Sequence, residues 1–560
     1  DLELSANQFL SRGFLSSVSP ELVFGLKKSN PVTISIQWPD GKLQSLKNVE
    51  VNKTITLSYN DATENSQVEE NRTISLERYN PVNINHQENT YIDFKNEILL
   101  PQMMSTLGPG TAIGDLNNDG TDDIFVSGAL GMAPQVFIQN KYGEFQSINT
   151  EFWETQRNYE GTGVLFFDVD QDGDLDIYAV AGGNENQGIQ LDLQDKLYIN
   201  DGKGNFSLSL KSLPIIESSG LAICANDIDK DGDLDLFVGG RVVPGKYPAV
   251  PKSYILLNNN GNLEDATQNF LGNTSEIGMV TDAQFLDIDN NGFEDLVVVG
   301  EWMQPKVYYN NGSSFDAQNL NDEVKGGWWF SVKSGDFNND GQPDFVLGNL
   351  GQNNKFNANE KTTFHVFAAD FDGNGSHDIV LSKEKEGKLL PVRGRECSSQ
   401  QMPFIQEKFP TYDEFASADL IEIYSEDKIK TSIHHELNNF NSIVLLSKKE
   451  GGHSIKPLNT IAQFGPLLDS ELIDINNDGN LDIIGVGAIQ NAEPETVKYD
   501  ASKGFVLLGD GKGNFETDMN SGLMTSGNVK HIDKISINNS TVLMVTKNNG
   551  PVEFYKINKA

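Results

Sequence analysis

Cysteine is nearly absent from this 560-residue chain, with only Cys224 in "LAICAN" and Cys397 in "RECSSQQ". Neither has metal-site or redox-pair spacing, which excludes a disulfide scaffold or a thiolate metal knuckle as the organising device. Each reads as a small buried residue or an unpaired thiol. Histidine is also scarce, at His86, His365, His377, His434, His435, His453 and His531. No nucleophile signature of the Ser-His or Cys-His kind surrounds any of them. "HHE" at His434 to Glu436 suggests a transition-metal site, yet neighbours on a strand point to opposite faces, so only one of the two histidines can face it. That weighs against a ligand role. Long hydrophobic runs are missing too: nothing approaches the roughly 20 apolar residues of a membrane-spanning helix. The 38% hydrophobic content comes instead in short runs, which suits a large core built from strands. Basic charge is in deficit, with 42 Lys and Arg against 80 Asp and Glu and a net charge of -38. That balance argues against a nucleic-acid partner, whose phosphates need basic clusters.

What the chain has in quantity is aspartate in one repeated word. "FFDVDQDGDLDIYAV" concentrates five carboxylates between Asp168 and Asp176. Such repulsion destabilises a compact state unless a cation sits among them. The word occurs seven times: "DLNNDGTDD", "DVDQDGDLD", "DIDKDGDLD", "DIDNNGFED", "DFNNDGQPD", "DFDGNGSHD" and "DINNDGNLD". Positions 1, 3, 5 and 9 are always Asp or Asn, and position 6 is always Gly. The candidate ligands are Asp115, Asn117, Asp119 and Asp123 in the first loop, then Asp168, Asp170, Asp172 and Asp176, then Asp227, Asp229, Asp231 and Asp235. The later loops offer Asp287, Asp289, Asn291 and Asp295; Asp336, Asn338, Asp340 and Asp344; Asp370, Asp372, Asn374 and Asp378; and Asp474, Asn476, Asp478 and Asp482. Hard oxygen ligands at alternating positions suit calcium, and glycine permits the turn that lets them converge. Up to seven calcium sites are therefore expected. An EF-hand would need a Glu at position 12, where the first two loops carry Val126 and Ala179. β-rich runs such as "DIFVSG" and "DLVVVG" follow instead, so each loop joins two strands.

A second word, a strand followed by a glycine turn, recurs in "KLYINDGKGNFSL", "YILLNNNGNLEDA", "KVYYNNGSSFDA" and "FVLLGDGKGNFET" and reads as a hairpin. The first five loops are spaced by 53, 59, 60 and 49 residues. Each unit then holds four strands, and such units repeated around a ring make a β-propeller. Seven blades are expected, with eight as the alternative. The Asp370 loop follows Asp336 by only 34 residues, which suggests the outer hairpin of the same blade. The tail His531 to Ile557 reads as a unit without ligands, and "NTYIDFKNEI" at Asn89 to Ile98 as the strand that closes the ring. An insertion at about 383–456 carries short helices near Gln400 to Phe415, and Trp302, Trp328 and Trp329 read as core rather than sugar-stacking residues.

These words resemble FG-GAP or VCBS repeats. "RGFLSSVSPELVFGL" from Arg12 and "VTISIQWPDGKLQSLKNVEVNKTITL" from Val32 resemble the ASPIC/UnbV domain. The combination is similar to the cartilage acidic protein family and its bacterial relatives. The resemblance implies an all-β chain in three parts: an ASPIC/UnbV-type domain at 1–62, a linker at 63–85 and a calcium-binding propeller at 86–560. "DLELSANQFL" opens inside that domain's usual pattern, so a fragment of a longer protein is expected. "LLPQMMSTLGPGTAIGDLNNDG" and "QMPFIQEKFPTY" resemble large surface lipoproteins of Bacteroidetes-type bacteria, which accompany SusC/SusD-like outer-membrane nutrient importers. The function expected is non-catalytic binding or scaffolding at the cell surface, through other surface proteins or glycans. The alternative is a calcium-dependent polysaccharide lyase, with Arg393 or Arg395 clamping uronates.

Overall fold

The structure is a computed structural model that describes residues 4–8, 16–26, 30–39, 42–63, 74–185, 192–209, 211–272, 274–359, 361–448 and 452–559. The chain divides into two compact units, Asp1–Arg72 and Thr73–Ala560. In the first, Val32–Gln37 pairs antiparallel with Leu43–Val49. The alternation of "VTISIQ" leaves every second side chain half-buried, as a one-sided strand requires. Trp38 meets Tyr59 edge to face at 5.4 Å. Residues 12–15 of the Arg-Gly-Phe word, and residues 64–73 of the expected linker, lie outside the described residues.

Among its described residues the second unit contains eight four-stranded antiparallel sheets, one of them extended by the short strand Gly327–Trp328. Seven of these succeed one another around a closed circuit. Their innermost strands are Thr111–Gly114, Gly161–Phe167, Ser219–Asn226, Met279–Leu286, Ser331–Gly335, Asp469–Ile473 and Asn528–Ile537. Each lies against the next, and the last lies against the first. Sheets stacked face to face bury both sides of their middle strands, which is why "DIFV", "DIYAVA" and "DLVVVGEWM", apart from each leading aspartate and Glu301, are apolar without alternation and buried throughout. Tyr178 and Val180 of the second sheet pack on Leu236 and Val238 of the third in one apolar cluster. Near the centre the backbones come closer than side chains allow. A Cβ at Gly163 would lie 2.2 Å from the Leu221 carbonyl oxygen, so that position takes only glycine. Hydroxyls tie sheet to sheet there: Thr162 donates to the Gly220 carbonyl at 2.8 Å and Thr281 to that of Trp329 at 2.7 Å.

The seventh sheet closes the circuit with a strand from far upstream. Ile74–Tyr79 pairs with Glu553–Lys559, from Ile74 opposite Lys559 to Tyr79 opposite Phe554. This corrects the expectation for Asn89 to Ile98, which holds a 3-10 turn at Asp93–Lys95 instead. There the buried Asp93 carboxylate accepts the N–H groups of Met104 and Ser105, which draws the segment out of an extended path. The closing strand lies in the stretch expected to be a linker. In the seventh sheet Asn538 and Asn539, both left-handed, form a two-residue turn where other sheets carry the acidic loop.

The eighth sheet lies off the circuit. Its strands Lys388–Pro391, Asp378–Lys385, Phe364–Ala369 and Ile433–Leu437 pair in that order. Five short helices between Arg395 and Thr431 cover it. Two of them begin with reciprocal capping boxes, Thr411 with Glu414 and Asp419 with Glu422. This module is spliced between Asp344–Gly348 and Ile443–Ser447, neighbouring strands of the fifth circuit sheet. The Asp370 loop therefore belongs to the inserted module and not to the outer hairpin of the fifth sheet. The insertion also begins and ends earlier than 383–456, because His453–Pro457 is the fifth sheet's outer strand. Phe356, Phe364, Leu437 and Phe440 from the insertion pack with Trp302 and Trp328, fixing the module to the circuit. Trp302, Trp328 and Trp329 are all buried, so they serve the core.

A chain beginning at Thr73 should melt with the same propeller transition as the full chain, whereas one beginning at Pro81 should melt at a clearly lower temperature. Equal melting of the two in a calorimetric scan would show that the 74–79 strand does not close the circuit.

Candidate metal centres

All seven acidic loops have one backbone path. The sixth residue is a glycine with φ from 79° to 102°, and the fourth is also left-handed, with φ from 57° to 79°. Gln171 and Lys230 adopt that conformation although they gain nothing from it locally, so the loop as a whole imposes it. The first-position carboxylate explains how. Asp115 accepts the N–H of Asp119 at 3.1 Å and of Gly120 at 2.7 Å. Asp168 does the same for Asp172 and Gly173, and Asp474 for Asp478 and Gly479. The fifth-position side chain turns outward to the N–H two residues on, as Asp119 does to Thr121, Asp172 to Asp174 and Asn374 to Ser376.

The ninth-position aspartate is buried and holds the loop to its sheet. Asp176 accepts the Val169 N–H at 3.0 Å with one oxygen and the Asn200 N–H, from the third strand, at 2.8 Å with the other. Asp123, Asp235, Asp295, Asp344 and Asp482 repeat both bonds, to Gln139, Asn258, Asn310, Ser447 and Gly509 on their third strands. Asp378 holds the Phe371 N–H. Burial pushes Asp123, Asp176, Asp235 and Asp378 up to about 7 and Asp482 to about 6, and raises Asp295 and Asp344. The backbone bonds oppose that rise, and the neighbouring carboxylates add to it. A cation at the loop would favour the ionised form.

The loops bring together positions 1, 3 and 9. Carboxylate oxygens of Asp168, Asp170 and Asp176 lie within 4.8 Å of one another, as do those of Asp227, Asp229 and Asp235, of Asp287, Asp289 and Asp295, and of Asp370, Asp372 and Asp378. In the loops at Asp115, Asp336 and Asp474 the third position is an asparagine, and Asn338 Oδ1 is a buried acceptor with no hydrogen-bond partner. The carboxylates of Asp172 and Asp231, counted among the expected ligands, are not among these converged sets, and each accepts the backbone N–H two residues on, from Asp174 and Asp233. Sequence reasoning missed two further features. Asp174 and Asp233, at position 7, are buried and each leaves one oxygen unpaired. Asn200, Asn258 and Asn310 each reach from the end of a third strand to the loop of the preceding sheet, donating to the carbonyls of Leu116, Val169 and Ile228 at 2.8, 2.8 and 2.9 Å. The asparagine that ends "KLYIN", "YILLNN" and "KVYYN" was the available signal.

All seven innermost strands also line a cavity of about 250 Å3. Lys333 faces Asp469 at 3.2 Å, and His531 stands 3.7 Å from the same carboxylate. Burial alone would raise Asp469, but Lys333 and His531 bring it down to about 2. Burial lifts Asp282 and Asp533 to about 6 and lowers Lys530 to about 8. Elsewhere, Arg393 is buried against Glu493 at 2.6 Å, and Arg395 donates to the Phe409 carbonyl while its guanidinium lies over Tyr412. Arg393 keeps its Nε and Nη2 buried without a hydrogen-bond partner. Cys224 and Cys397 are unpaired thiols, the latter donating to Glu495 at 2.8 Å.

Antiparallel sheets in a closed circuit, with acidic loops joining first and second strands, define a β-propeller of the repeat class. The family model described as FG-GAP-like repeat matches residues 115–179 and 287–347, each stretch spanning two loops. That described as ASPIC and UnbV matches residues 2–64. The chain therefore carries an ASPIC/UnbV domain and FG-GAP-like repeats. No curated protein matches it. Among solved structures it is similar to the V. cholerae biofilm matrix protein Bap1, at 11% identity and a TM-score of 0.33 over 86% of this chain and 91% of that one, a likeness too distant to inform function.

Asp176→Ala should destabilise the protein by about 2 to 4 kcal/mol, because two buried N–H groups lose their charged acceptor. Asp172→Ala, on the exposed side of the same loop, should cost less than about 1 kcal/mol. Denaturant melts of the two variants in chelator compare these bonds without metal; equal effects would overturn the assignment.

Proposed function

We propose that the chain is a calcium-stabilised, non-catalytic binding or scaffold protein of the cell surface, built on a seven-bladed propeller. The observation that carries the reading is the convergence of three carboxylates at each of four loops. Hard oxygen donors in a flexible loop select calcium over softer ions. The unpaired Asn338 Oδ1 fits an ion at a loop whose third ligand is neutral. Asp, Asp or Asn, and Asp at positions 1, 3 and 9 would hold the ion, and its charge would offset the repulsion among them.

Calcium modules outside cells bind with dissociation constants of about 0.1 to 1 mM. At about 1 mM free calcium, each site contributes roughly 0.4 to 1.4 kcal/mol. Sites of that strength would be empty at cytosolic calcium, which supports a place outside the cell or on its surface. FG-GAP-like repeats fit a surface or binding role. Among the described residues no helix is long and apolar enough to cross a membrane. The partner we infer is another surface protein, specifically a SusC/SusD-like outer-membrane transporter, with glycans as a further ligand class.

A chelator should lower the melting temperature of the calcium-loaded protein markedly, with recovery when calcium is restored. An unchanged melt would overturn structural calcium. Isolation from the native envelope in mild detergent with calcium should bring down a stoichiometric transporter, identified by mass spectrometry. A solitary protein that cleaves a pectin or alginate panel would replace this reading with that of a lyase.

A further inference from the structure

The inserted module brings together three side chains that neither the repeats nor the propeller explain. Ile433–Leu437 is its edge strand and pairs with Phe364–Ala369, placing His365 opposite Glu436 and Phe367 opposite His434. Opposed residues on paired strands share a face, and so do residues two apart along one strand. His365, His434 and Glu436 therefore project to the same side. His365 Nδ1 lies 3.0 Å from His434 Nε2 and 3.6 Å from Glu436 Oε2. All three ligand atoms fall within 4.8 Å of one another.

Two ligands about 2.0 to 2.1 Å from one tetrahedral ion stand roughly 3.3 Å apart. The two separations bracket that value. The rings are held before any ion arrives. His434 stacks on Phe367 with centroids 4.3 Å apart and planes 2° from parallel, and the His365 side chain is only 6% exposed. His365 Nε2 is buried without a hydrogen-bond partner, so stacking and the hydrogen bond between its Nδ1 and His434 Nε2 are what hold that ring. His435, the next residue along, points the other way and meets the Pro248 carbonyl at 3.0 Å. Burial lowers the pKa of both His365 and His434, which keeps the imidazoles in the neutral form that binds metal. Two nitrogen donors and one carboxylate suit a borderline-soft divalent ion and not calcium, which takes oxygen ligands.

We propose that His365, His434 and Glu436 form a zinc site at the edge of the inserted sheet, distinct from the acidic loops. Three protein ligands leave the fourth position to water or to a group from a bound partner. Glu436, 63% exposed, is on the side through which such a group would enter.

The test uses the full chain saturated with calcium, so that the acidic loops do not compete. Titration calorimetry with zinc should find one site per chain that excess calcium does not displace. Cobalt in its place should show the intense visible absorption of a tetrahedral nitrogen-ligated ion, which an oxygen-ligated loop would not give. His434→Gln and Glu436→Gln should each weaken zinc by at least about tenfold, while His453→Gln should leave it unchanged. Because Glu436 is largely exposed, its variant tests the site even if a histidine variant fails to fold. Absence of zinc uptake by the wild-type chain, or uptake unchanged in both the His434 and Glu436 variants, would overturn the proposal.

Discussion

The structure depends on one buried carboxylate used again and again. At the start of a second strand an aspartate takes one backbone N–H from its own loop and another from the third strand, as Asp176 does with Val169 and Asn200. A single side chain thereby pins the loop, whose shape the first-position carboxylate sets, to the sheet and turns a third oxygen-bearing group toward the first and third loop positions. Hydrogen bonds to an ionised group are worth about twice those between neutral groups, and stranding their donors is costly. The same aspartate is thus structural and, in the proposed reading, a metal ligand. The two roles share one requirement, that the carboxyl stay ionised where burial opposes it.

Asparagines extend this unit from one sheet to the next. Asn200 gives its side-chain N–H to the acidic loop of the neighbouring sheet, while its own backbone N–H is held by Asp176. Asn258 and Asn310 repeat the pattern. Loop geometry in one sheet is therefore coupled to strand position in the following one.

Much of this was legible in the sequence because period and spacing carry it. The seven acidic words, their glycines and the alternation of short apolar runs named the loops, the strands on either side and the repeated unit. The seventh sheet's missing ligands were readable in the tail. What was not legible depended on contacts between residues far apart. The Asp370 word has the same local chemistry as the rest, so only pairing partners reveal that it sits in a spliced-in sheet. Ile74–Tyr79 is an ordinary short strand until its register with the last strand is known. His365 and His434 are 69 positions apart, and no spacing rule joins them. At the fifth position, the alternation that suits an ion equally suits a turn that satisfies its own backbone, as Asp119 does with Thr121, so spacing alone does not separate the two roles.

Closure of the circuit by residues 74–79 and 553–559 sets the order of events during synthesis. The strand that completes the seventh sheet emerges early, and its partner leaves the ribosome only after some 470 further residues. The entropy of closing so long a loop grows only slowly with length, but contacts this distant in sequence form late. Until then the first-made sheets can stack on one another, each with its apolar faces supplied by the next, while both ends of the growing arc present open edges. The nascent protein is thus an arc before it is a ring, and it stays vulnerable to edge-to-edge pairing with other chains until its last seven-residue strand is in place.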